Sequence, residues 1–168
     1  MTPAARVHGD RDGDIEVLME AEGWDSAPPD AQALALRAAS AALAAAGASG
    51  GLAILLADDA RLAALNTAFR SKAGPTNVLS FPAPANPEGW LGDVALAFET
   101  CRREAEAQGK RLEHHLQHLV AHGVLHLVGY DHEGDADAAE MEALEVKILA
   151  GLGAPDPYAA GRGDHGQS

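Results

Sequence analysis

The chain contains a single cysteine, Cys101, in 168 residues, so no internal disulfide can form and a disulfide scaffold is excluded. Aromatic residues make up only 4%, which leaves a core to be filled by alanine, leucine and valine. The longest aliphatic run, Leu52 to Ala57, is far short of the roughly 20 residues that span a bilayer. The first residues carry Arg6, Asp10, Arg11 and Asp12 and no apolar segment, which speaks against a secretory signal. Basic side chains are outnumbered, 12 against 25 acidic ones, for a net charge of -13. That charge disfavours a general nucleic-acid binder, whose phosphate contacts need a basic surface. These absences predict a cytoplasmic protein with no membrane association.

What is present is a 47% hydrophobic composition, enough for one domain with a core. Residues 1–13 read as a flexible N-terminus, 14–153 as the single domain and 154–168, opening on Pro155 and Pro157, as a flexible C-terminal tail. Ile15 to Glu20 alternates as a strand does, and Leu52 to Ala57 reads as a strand buried on both faces. Between them an alanine-rich helix has Asp30 as its cap and Gly47 as its stop. Asp58 and Asp59 then open a helix with Leu62, Leu65 and Phe69 on one face.

Asn77 to Phe81 and Leu91 to Phe98 read as strands, joined closely enough to be antiparallel neighbours. Three helices follow, near 100–108, 111–127 and 136–150, stopped by Gly109, Gly129 and Gly151. The order β-α-β-α-β-β-α-α-α predicts an α+β fold, a small mixed sheet of about four strands flanked by about five helices. Charge is uneven along it. Residues 60–111 hold seven basic side chains (Arg61, Arg70, Lys72, Arg102, Arg103, Lys110 and Arg111) and five acidic ones, a local balance of +2.

Six of the eight histidines lie between His114 and His132. On a helix, His122 and His126 are one turn apart and can aim at one ion. Gly129 can end that helix and turn the chain so that His132 supplies a third nitrogen, leaving a fourth position open as in a catalytic zinc site. His118 and His126 sit roughly 12 Å apart along the axis, too far for one ion to reach both. His118 therefore reads as packing or supporting the ligands, and His114 and His115 as surface residues. The spacing H-x-x-x-H-x-x-G-x-x-H matches the metzincin protease signature except that Gly123 stands where those enzymes carry their glutamate base. The metal ligands are present and the peptidase base is missing.

The run from His122 to His132, H-G-V-L-H-L-V-G-Y-D-H, closely resembles the signature of the YbeY family of bacterial metal-dependent endoribonucleases. Leu65-Asn66, Arg70 and the segment from Thr76 to Pro82 are similar to further family motifs, as is Leu91-Gly-Asp-Val94. Met141 and Glu145 also sit at the family's Met and Glu. Asn77 departs from this pattern, standing where an aspartate is expected; it keeps an acceptor and loses the charge.

The resemblance implies one zinc per chain on His122, His126 and His132, with Arg70 as the functional arginine. It implies cleavage of single-stranded RNA in 3′-end maturation of small-subunit (16S) ribosomal RNA, and a part in ribosome quality control. A zinc-activated water and Arg70 would act at the scissile phosphate, Arg70 because a guanidinium clamps two phosphate oxygens. Arg61, Lys72, Arg102 and Arg103 are candidate RNA contacts, and Phe81 a candidate base-stacking platform or a core aromatic. At this net charge free RNA should bind weakly, so the small ribosomal subunit and its proteins are the expected partners. Two alternatives stand beside this reading: a non-catalytic ribosome assembly factor with a structural zinc, and another zinc hydrolase.

Overall fold

The structure is a computed structural model, and the residues described are 4–9, 13–26, 30–70, 76–130 and 134–158. The elements are β1 (Ala4–Gly9), β2 (Gly13–Met19), α1 (Glu22–Ser26), α2 (Ala31–Ala46), β3 (Gly51–Ala57), α3 (Asp59–Arg70), β4 (Val78–Pro82), β5 (Trp90–Ala97), α4 (Phe98–Gln108), α5 (Leu112–Leu127) and α6 (Asp135–Gly151). The strands form one mixed sheet in the order β1-β2-β3-β5-β4. Its centre, β2-β3-β5, is parallel, and both edges are antiparallel, β1 on β2 and β4 on β5. The fold is α+β, as the sequence predicts.

The sheet divides the core in two. Leu52, Ile54 and Leu56 of β3 and Val94 and Leu96 of β5 point to one face, where they pack with α2, α5 and α6. The alternate residues, Ala57, Ala95 and Ala97, with Leu55 partly buried, face the other way and pack with Leu62 of α3 and Leu79 of β4. This explains why β3 reads as a continuous apolar run: both of its faces are covered.

Three differences from the sequence reading concern the ends and joints. Residues 4–9, expected to be loose, form β1 and pair in register with β2 from Ala4–Leu18 to Gly9–Gly13. The five-residue α1 was not expected; it carries buried Trp24, whose Nε1 donates to the Ala57 carbonyl at 2.8 Å and whose ring meets Phe98 edge-on at 5.1 Å. Residues 154–158, expected to belong to a free tail, are docked, with Ala154 and Pro157 buried. The expected caps hold: the Asp30 side chain accepts from the Ala33 N–H, and Gly47 closes α2.

Candidate metal centre

Helix α5 positions the histidines, and its seat on the sheet explains Gly123. A Cβ added at Gly123 would lie 2.6 Å from Val94 Cγ1, and its carbonyl accepts from Ser80 Oγ at 3.0 Å. Gly123 therefore faces the sheet, where any side chain would push α5 away. A glutamate base could not stand at this position without displacing the helix.

About a quarter-turn round the helix from Gly123 runs a stripe of imidazoles. His115, His118, His122 and His126 follow one another with ring centroids 6.4, 6.3 and 4.6 Å apart. His115 corrects the expectation of a surface residue. It is only 4% exposed, and its Nε2 meets Glu104 Oε1 at 2.9 Å. Burial holds its pKa below the ordinary value of 6.5 despite that carboxylate. The same Glu104 oxygen accepts from Asn77 Nδ2 at 2.9 Å, which gives the amide at position 77 a donor role that aspartate cannot perform at neutral pH.

His122 and His126 converge. Their Nε2 atoms are 3.1 Å apart. His122 Nδ1 lies 2.6 Å from Oε2 of Glu145 on α6. An ionised carboxylate only accepts, so Nδ1 carries the proton and Nε2 is the lone-pair nitrogen of the neutral ring. This is the support that metal-ligating histidines ordinarily receive from a carboxylate. Two imidazole nitrogens bound tetrahedrally to zinc at 2.0–2.1 Å would be about 3.3 Å apart, close to the separation seen. These two nitrogens are spaced as such an ion would need.

Glu145 is the residue that sequence reasoning left without a role. It is fully buried, with Oε1 lying 2.9 Å from His118 Nε2 and also accepting from the Tyr158 hydroxyl. Burial would raise its pKa; the hydrogen bonds from His118, His122 and Tyr158 outweigh that and hold it at about 2. His118 is thus linked to His122 through Glu145. Met141 is buried in the main core.

The chain leaves α5 through Gly129 at φ 108, a conformation that side-chain-bearing residues avoid, with Gly129 N donating to His126 O and Tyr130 N to Leu125 O. The predicted stop of α5 at Gly129 is therefore made. His132 itself, with Asp131 and Glu133, lies outside the described residues, and among those described no group of three ligating side chains forms a metal set. The side chain of Arg70, which ends α3, and all of Lys72 are likewise outside.

The other candidate RNA contacts are not gathered at the histidines. Phe81 and Arg61 line a pocket of about 470 Å³ with Leu55, Leu65, Asp93 and Ala95, on the α3 face of the sheet and not the α5 face. Arg61 pairs with Glu20, and Arg103 with Asp59, both at 3.3 Å. Arg102 lies over the Phe98 ring, 5.7 Å from its centroid.

A family model described as Endoribonuclease YbeY matches residues 24–153. The chain belongs to the YbeY family. Relatives carrying that name include one from Azorhizobium caulinodans, 54% identical over 87% of this chain and 96% of its own. Another, from Rhodopseudomonas palustris strain HaA2, is 52% identical over 86% of this chain and 80% of its own. A solution structure of a Thermotoga maritima protein aligns over 92% of this chain and 95% of that one, with a TM-score of 0.56 and 21% identity, a likeness of fold. The YbeY-family match spans α1 to α6, so it covers both the histidine helix and Glu145. No helix among the described residues is long and apolar enough to cross a membrane.

Proposed function

We propose that this YbeY-family endoribonuclease cuts single-stranded RNA at a zinc held by His122, His126 and His132. The observation that carries the reading is the convergence of the His122 and His126 Nε2 atoms, with His122 Nδ1 tied to a buried carboxylate. A zinc ion there supplies a Lewis acid for a phosphoryl oxygen and a source of hydroxide near neutral pH. His122 and His126 present neutral nitrogens in a fixed geometry, and Glu145 sets the tautomer of His122. Arg70 is the cation that clamps the scissile phosphate, a task suited to its planar fork of donors. Phe81 and Arg61, which share one pocket on the sheet face away from the histidines, would take an unpaired base and a phosphate distant from the cut, with Lys72, Arg102 and Arg103 as further contacts.

The substrate is the 3′ region of small-subunit ribosomal RNA, and the setting is ribosome maturation and quality control in the cytoplasm. A chain of net charge -13 holds free RNA weakly and with strong salt dependence, so docking on the small ribosomal subunit or its proteins selects the site.

The test is cleavage of a single-stranded RNA by wild type, His126→Ala and Arg70→Glu, purified identically, with zinc content measured for each. The expected result is cleavage by wild type, zinc without cleavage for Arg70→Glu, and loss of both for His126→Ala. Equal cutting by all three marks a contaminant. Zinc without cleavage in wild type marks an assembly factor in which the ion is structural.

A further inference from the structure

The chain beyond α6 returns to the metal centre. Gly153 N donates to Ala150 O at 3.1 Å and Ala154 N to Leu149 O at 2.8 Å, closing the helix and turning the strap back along it. From the turn between α4 and α5, Lys110 Nζ donates to the Pro157 carbonyl at 2.8 Å. Tyr158 N donates to Asp156 Oδ1 at 2.8 Å. So anchored, the Tyr158 ring stands edge-on to His118 with centroids 5.4 Å apart, and its hydroxyl donates to Glu145 Oε1.

A fully enclosed carboxylate is oriented by its protein partners alone. Tyr158 and His118 hold Oε1, which leaves Oε2 aimed at His122 Nδ1. Removing the phenol hydroxyl takes away one of three donors at a group that water does not reach. Glu145 can then turn, and the His122 ring loses part of what fixes its direction and tautomer.

We infer that the strap 153–158 is a latch on the metal centre, and that Tyr158 is a positioning residue holding His122 through Glu145. The inference rests on the reading of His122 as a zinc ligand. Tyr158→Phe keeps the ring against His118 and removes only the donor.

Zinc affinity, measured by chelator competition on the full chain, is compared for wild type, Tyr158→Phe, Glu145→Gln and the double variant, alongside the melting midpoint of each metal-free protein. The expected result is zinc binding about tenfold weaker in Tyr158→Phe. The double variant is expected to bind no more weakly than Glu145→Gln, because Tyr158 acts only through Glu145. If Glu145→Gln does not fold, nitrogen-15 spectra of the imidazoles take its place. They should show a His122 Nδ1 proton protected from exchange in wild type and lost in Tyr158→Phe. Zinc affinity unchanged in Tyr158→Phe, with only a lower metal-free midpoint, overturns the latch, as does full additivity in the double variant. Wild type without zinc affinity overturns the metal centre and the latch together, a result distinct from wild type and Tyr158→Phe binding alike.

Discussion

His122 Nδ1 and Glu145 Oε2 are 2.6 Å apart, joining a helix that lies on the sheet to a carboxylate that no water reaches. This contact decides which imidazole nitrogen faces His126. Glu145→Gln replaces an acceptor-only group with one that can also present donors to His118 and His122. Zinc affinity is expected to fall by about 10- to 100-fold, read by chelator competition. An unchanged affinity would separate Glu145 from the metal.

Gly123→Ala tests the seat of α5. The added methyl would come 2.6 Å from Val94 Cγ1, and the helix must shift to accept it. Overpacking of this kind costs about 1–3 kcal/mol, which thermal unfolding would report as a lower midpoint. Gly123→Glu, which restores the protease-like sequence, should destabilise further and yield no casein cleavage.

Asn77→Asp, which restores the aspartate expected from the family pattern, is predicted to harm this chain. Asn77 Nδ2 donates to Glu104 Oε1, and an ionised aspartate would oppose that carboxylate. The loss is about 1–3 kcal/mol at neutral pH. Unfolding in urea at pH 7 and pH 4 should show the deficit shrinking as the carboxylates take up protons.

His115 makes stability depend on pH. Its folded pKa lies below the ordinary value of 6.5, because burial disfavours the charged ring, so between the two values the unfolded chain holds the extra proton. Its contribution is intact above 6.5 and declines as pH falls below it. His115→Gln should flatten that decline, seen as converging melting midpoints for variant and wild type between pH 7.5 and 5.5.

Much of the architecture was legible because it is local. Leu52 to Ala57 announces a strand covered on both sides, Asp30 and Gly47 bracket α2, and Gly129 ends α5. Other features depend on distant partners. The segment 4–9 carries Arg6 and His8 and no clear alternation; it becomes a strand by adding to the edge of β2. Five residues of α1 are too few to show a helical period. Tyr158 follows Pro155 and Pro157, which signal a tail, and its tie to Glu145 has no local signature. His115 did carry a signal: with His118, His122 and His126 it keeps helical spacing along one face, whereas its neighbour His114 falls off that stripe. Glu145 lies on α6, one helix away from the histidines it contacts, a relation that only packing reveals.

The central claim is a zinc held by three imidazoles. X-ray absorption at the zinc edge, on wild type loaded with one equivalent and on His126→Ala, tests it most directly. The account predicts three imidazole nitrogens at about 2.0–2.1 Å in wild type and a broken set in the variant. A wild-type spectrum with fewer than three imidazoles, or one that His126→Ala leaves unchanged, would contradict it.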